Sequence, residues 1–125
     1  MGRHVHPTIL VIEDNSDLRE ALCEFFKGEG YAVDGAGDGR QALGKLRSGL
    51  RACVILLDLM MPDMTGFQFR LEQLQCPDLA EIPLIAHSGV EDVAIYAQRL
   101  NASAYIRKPA AMDEILALVH EHCLK

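Results

Sequence analysis

Five short apolar runs, each followed by an amphipathic stretch, constrain this chain more than any other feature. The runs are Ile9 to Ile12, Ala32 to Ala36, Val54 to Leu57, Leu84 to Ala86 and Ala104 to Ile106. Four are apolar at nearly every position, the pattern of parallel strands covered by helices on both faces; Ala32 to Ala36 carries Asp34 and Gly35 and suits an edge strand. Between the first two runs, Leu18, Ala21, Leu22, Phe25 and Phe26 fall on one helical face that Gly28 and Gly30 end. Leu43, Leu46 and Leu50 mark a second helix, and Met112, Ile115, Leu116 and Val119 mark the last. Gly66 to Gln75 and Glu91 to Leu100 are weaker but helical in character. Strands alternating with helices through right-handed crossovers predict an α/β fold, a (βα)5 doubly wound five-stranded parallel sheet.

The 125 residues, half of them apolar, match one domain with a structured core over about 8–123. The formal net charge is -6 and the basic side chains are dispersed, which speaks against direct nucleic-acid binding. No apolar stretch approaches the ~20 residues that span a bilayer, and no signal sequence opens the chain, so a cytoplasmic location is expected. The cysteines, Cys23, Cys53, Cys76 and Cys123, include no C-x-x-C pair, and three lie in apolar-periodic segments; reduced buried thiols are expected rather than disulfides.

Doubly wound sheets bind ligands outside the carboxyl ends of their strands. There the sequence places Glu13 and Asp14 after the first run, Asp58 after the third, Ser88 after the fourth and Lys108 after the fifth. Three carboxylates side by side repel one another unless protonated or joined by a cation. A hard cation, Mg²⁺ or Mn²⁺, suits oxygen donors and leaves coordination positions for a phosphoryl donor. Asp58 is then a credible carboxylate nucleophile, with Lys108 neutralising charge on the transferring group.

Four blocks in order carry a resemblance: Val11-Ile12-Glu13-Asp14-Asn15; Asp58-Leu59-Met60-Met61-Pro62-Asp63-Met64-Thr65-Gly66; Ser88-Gly89; and Tyr105-Ile106-Arg107-Lys108-Pro109. From Thr8 to Cys123 the chain resembles the receiver domain of bacterial two-component response regulators, of the chemotaxis-regulator-like kind. The resemblance implies a flavodoxin-like sheet of strand order 2-1-3-4-5 and a signalling protein rather than an enzyme. It implies that Asp58 takes a phosphoryl group from a histidine kinase or histidine phosphotransfer protein. Mg²⁺ would be held by Asp14, Asp58 and the backbone carbonyl of Met60, with Glu13 acting through water. Lys108 and Ser88 would hold phosphoryl oxygens, and Tyr105 would move inward. This would alter the surface of the fourth helix, fifth strand and fifth helix for a downstream effector domain or protein, or for a phosphorylation-linked dimer. The Lys108–Pro109 bond is expected to be cis. Met60 and Val90 would overhang the path of the hydrolytic water. Glu13 for the commoner aspartate, Ala110 after Pro109, and His87 before Ser88 depart from the usual pattern.

Plainer readings compete at each position. Glu13 and Asp14 suit a helix N-terminus, Asp58 and Ser88 suit turns, Lys108 suits a solvated surface and Tyr105 suits a core strand. Pro62 and Gly66 could simply shape a loop. His4 and His6 with His120, His122 and Cys123 have metal-compatible spacings, but chain ends seldom form a closed site. An aspartate phosphatase needs a second acid two residues after the nucleophile, where Met60 stands, and a nucleotide-binding module needs glycines where Asp14-Asn15-Ser16 stand. The alternative is a degenerate receiver acting as a phosphorylation-independent interaction module.

Overall fold

A computed structural model of the chain describes residues 8–60 and 65–123. The strands are β1 (Thr8–Ile12), β2 (Ala32–Ala36), β3 (Ala52–Leu57), β4 (Leu84–Ser88) and β5 (Ala104–Arg107). The helices are α1 (Ser16–Gly28), α2 (Gly39–Arg47), α3 (Gly66–Leu74), α4 (Pro77–Ala80), α5 (Val93–Arg99) and α6 (Met112–Cys123). All strand pairings are parallel, in the order β2-β1-β3-β4-β5, as expected. The single turn α4 is additional: proline at its first position needs no N–H there and starts a helix between α3 and β4.

Alternation along the strands divides the core between the two faces of the sheet. Leu10, Ile12, Ile55, Leu57, Leu84 and Ala86 join Leu43, Phe69 and Ala97 of α2, α3 and α5. Ile9, Val11, Val54, Leu56 and Ile85 face the other way, onto Leu22 and Phe26 of α1 and Ile115 and Val119 of α6. The fully apolar runs are thus the strands buried on both faces. β2 is an edge, as its Asp34 and Gly35 suggest. β5 is the other edge: Tyr105 and Arg107 point outward, so the two-sided burial expected of the fifth run holds on one face only.

The helix starts are written locally. The Asn15 side chain accepts from the Leu18 N–H and Asp38 from that of Gln41, while Thr65 and Gln68 form a reciprocal capping box. Gly66 must be glycine for a different reason. A Cβ there would lie 2.9 Å from Leu59 Cα and 3.2 Å from the Asp58 carbonyl oxygen, so α3 starts pressed against the loop that carries Asp58.

The expectation for the cysteines is corrected. Cys53, near the start of β3, and Cys123, in the last turn of α6, form a disulfide across a Cα separation of 4.9 Å, while Cys23 and Cys76 are free. Seventy residues separate the two in sequence, and packing α6 on the sheet is what brings them together.

Candidate functional site

The side chains singled out at the strand ends are fixed by the sheet itself. The Glu13 N–H donates to Ala36 O at 3.0 Å, that of Asp58 to Ile12 O at 3.0 Å, and that of Lys108 to Ser88 O at 2.9 Å. Each residue therefore sits one step beyond its strand while its backbone still belongs to the ladder. Such a site is more rigid than one built on loops.

Glu13, Asp14 and Asp58 bring carboxylate oxygens within 4.8 Å of one another, with Glu13 and Asp58 buried and Asp14 exposed. Among the described residues this is the one grouping of His, Cys, Asp and Glu with metal-binding proximity. His120, His122 and Cys123 form no such group, and His4 and His6 lie outside the described residues. Lys108 Nζ enters the cluster from β5, donating to Glu13 Oε1 at 2.8 Å and lying 3.6 Å from Asp58 Oδ2. The Met60 N–H donates to Asp58 Oδ1 at 3.1 Å and the Asn15 N–H to Glu13 Oε2 at 3.2 Å.

Burial pushes the Asp58 carboxyl up to about 7, against the Met60 N–H, which lowers it; the Glu13 charge adds to the rise and Lys108 opposes it. A carboxyl so placed gains from added positive charge, which fits a divalent cation among the three acids.

Ser88 is fully buried at the end of β4, with its Oγ accepting from the Val90 N–H at 3.4 Å. Beside it, His87 is held neutral, its pKa lowered to about 4 by burial and then by the Lys108 charge. Tyr105 is 50% exposed, which removes the reading of a plain core aromatic. The Lys108–Pro109 bond is cis, as expected. Met61, Pro62, Asp63 and Met64 lie outside the described residues.

Arg19 was not legible as part of this site. Its Nη1 donates to the Glu13 carbonyl at 2.7 Å, and its aliphatic part crosses Gly35, where a Cβ would meet Arg19 Cδ at 3.2 Å. The glycine within β2 was the available signal, because a missing side chain in a strand often marks a close approach.

The profile of the response regulator receiver domain matches residues 9–120, and the chain belongs to that family. Receiver domains are signalling modules of two-component systems. The DNA-binding response regulator MtrA of Mycobacterium tuberculosis is 35% identical over 111 residues, covering 89% of this chain and 48% of MtrA. The response regulator MprA of Mycolicibacterium vanbaalenii is 33% identical over 111 residues, covering 87% of this chain and 47% of MprA. The chain thus spans about half the length of the curated relatives it matches. Among solved structures, the response regulator protein TrrA of Thermotoga maritima in complex with Mg²⁺-BeF superposes with a TM-score of 0.81 at 28% identity, covering 92% of this chain and 97% of TrrA. Among the described residues, no helix is long and apolar enough to cross a membrane.

Proposed function

We propose that this receiver accepts a phosphoryl group on Asp58 and transmits the change through the face formed by α5, β5 and α6. The observation that carries the reading is the junction of buried Asp58 with Glu13, Asp14 and Lys108 at one sheet edge. In the transfer, an Asp58 carboxylate oxygen attacks phosphorus and the P–N bond to a donor histidine breaks, with the imidazole nitrogen leaving with the electron pair. Asp14, Asp58 and the Met60 carbonyl would hold Mg²⁺ or Mn²⁺, with Glu13 acting through water, and the ion would supply charge that favours the ionised Asp58 and offsets that of the phosphoryl group.

Lys108 has a stated alternative partner in each condition. Without phosphate its ammonium is held by Glu13 at 2.8 Å, and a phosphoryl group on Asp58 offers it oxygens on the side it already faces at 3.6 Å. Ser88, at the end of the neighbouring strand, would give its hydroxyl to another oxygen. That would move the loop at Val90, whose N–H it now receives. A hollow of about 550 Å³ beside Tyr105, walled by Ala94, Ala97 and Ala102, gives the ring space to turn inward. The receiver acts in the cytoplasm, and its partners are a histidine kinase or histidine phosphotransfer protein and a downstream effector domain or protein; a phosphorylation-linked dimer is a further expected outcome.

The test is labelling with a small acyl phosphate in Mg²⁺. Wild type should take one phosphoryl group and Asp58→Asn none. Equal labelling of the Asn variant would overturn Asp58 as acceptor. A wild type that stays unlabelled while folded would favour the phosphorylation-independent interaction module instead.

A further inference from the structure

At the end of the sheet opposite Asp58, the Cys53–Cys123 bridge joins the start of β3 to the last turn of α6. Cys53 stands five positions before Asp58 along the strand, roughly 16 Å at the rise of an extended chain. Cys123 is buried and Cys53 half-buried, and both line an open hollow of about 320 Å³ shared with Ile82 and His122. The cysteines left free, Cys23 and Cys76, lie on other elements, so pairing is selective for the two that packing brings together. An open hollow lined by both cysteines gives an exchanging thiol a path toward the bridge, whose sulfur it must approach directly.

We propose that Cys53 and Cys123 form a reversible thiol–disulfide site that fastens or releases the C-terminal end of α6 without altering the chemistry at Asp58. In the closing direction, the thiolate of Cys53, the more exposed of the two, attacks a sulfur of a low-molecular-weight disulfide and expels one thiolate. The Cys123 thiolate then attacks the Cys53 sulfur of the mixed disulfide and expels the second. Two protein thiols give up two electrons and two protons, and one external disulfide becomes two thiols. Reduction runs through the same mixed disulfide in reverse. With the bridge open, the last turn of α6 is held by the burial of Val119 and Cys123 and by the hydrogen bond between Tyr31 Oη and His120 Nδ1 at 3.0 Å; with it closed, that turn is also tied covalently to the central strand of the sheet.

The experiment equilibrates the full chain with glutathione and glutathione disulfide at several ratios, then measures intact mass, alkylation of each cysteine and amide exchange. The expected result is the loss of two hydrogen masses in oxidising buffer, with a Cys53–Cys123 linked peptide and Cys23 and Cys76 still open to alkylation. Restoring reduced glutathione should return both thiols in the folded protein, and exchange across His120 to Cys123 should be roughly tenfold slower in the bridged form. Cys53→Ala and Cys123→Ala should each lose the bridge. A Cys23→Ser/Cys76→Ser variant, which leaves the pair intact, should behave as wild type. Four alkylatable thiols in oxidising buffer, glutathione adducts on Cys23 or Cys76 in place of the bridge, or a bridge that opens only on unfolding would each overturn the proposal. Acyl-phosphate labelling of Asp58 should be equal in the two redox forms. A large difference would refute the independence of the two sites, while absence of labelling in both forms would bear on the phosphorylation reading alone.

Discussion

Asp58 and His87 lie at adjacent strand ends and have their titrations moved in opposite directions, which makes stability against pH a test of the site. Asp58 rises from 3.8 to about 7, so the native state holds its proton more tightly. Its contribution is full below pH 3.8 and is lost as pH rises to about 7. His87 falls from 6.5 to about 4, so its contribution is full above pH 6.5 and is lost as pH falls to about 4. The two slopes oppose each other over the same interval. In metal-free buffer, urea midpoints of Asp58→Asn should therefore rise from pH 4 to 6.5 more steeply than those of wild type. Parallel curves would show that Asp58 does not hold its proton as its burial implies. A second expectation at this scale concerns the lifetime of the phosphoryl group. Met60 is 61% exposed two residues after Asp58, and the half-buried Val90 stands two after Ser88. Neither side chain can hydrogen-bond an attacking water. Met60→Asn with Val90→Glu should speed self-dephosphorylation by roughly tenfold, about 1.4 kcal/mol of barrier. Loss of label in excess Mg²⁺ after donor removal measures it, and an unchanged lifetime would show that these groups do not control water access.

Between elements, the buried Arg70 joins α3 to the end of α5. Arg70 Nε donates to Leu100 O at 2.9 Å, Nη2 to Asn101 O at 2.9 Å and Nη1 to Gln73 Oε1 at 2.8 Å. Gln73 in turn donates to Leu79 O and Ile82 O, so one polar pair closes the chain ends around α3, α4 and α5. The cation also meets the carbonyl end of α5, where the helix dipole favours it. Asn101, at φ +55°, turns the chain there toward β5. Arg70→Ala would leave three acceptors without this donor, those at Leu100 and Gln73 buried and that at Asn101 partly so, and should cost at least ~2 kcal/mol in urea denaturation. Arg70→Lys, with one compact ammonium in place of a fork, should recover only part of that. A cost within ~0.5 kcal/mol for Arg70→Ala, the range of ordinary surface changes, would contradict the account. This anchor holds the C-terminal end of α5, whereas the N-terminal end, at Asp92, has no side-chain cap.

For the molecule as a whole, a phosphoryl signal at Asp58 reaches the α5–β5 face only if some group contacts the two states differently. Ser88 is that group under the proposed function, since it is buried and its hydroxyl already holds the loop into α5. Ser88→Ala should accept phosphate at Asp58 yet show little phosphorylation-linked change in amide exchange across Glu91 to Arg107. Equal changes in wild type and variant would remove Ser88 from the path. Much of this plan was legible in advance. Apolar runs and helical spacing are local signals, and a residue directly after a buried strand in a parallel sheet has little choice of where to lie. That is why Glu13, Asp14, Asp58, Ser88 and Lys108 fall at one edge. The sequence by itself determined the alternation of elements, the edge position of β2 and the candidates for the site. The tertiary structure alone decided that Lys108 bonds Glu13 rather than Asp58 across 95 positions, that Arg70 reaches Leu100 across 30, and that Cys53 meets Cys123 across 70. Each is a choice among partners distant in sequence, settled by how far the helices slide and turn when they pack on the sheet, and no local periodicity encodes that displacement.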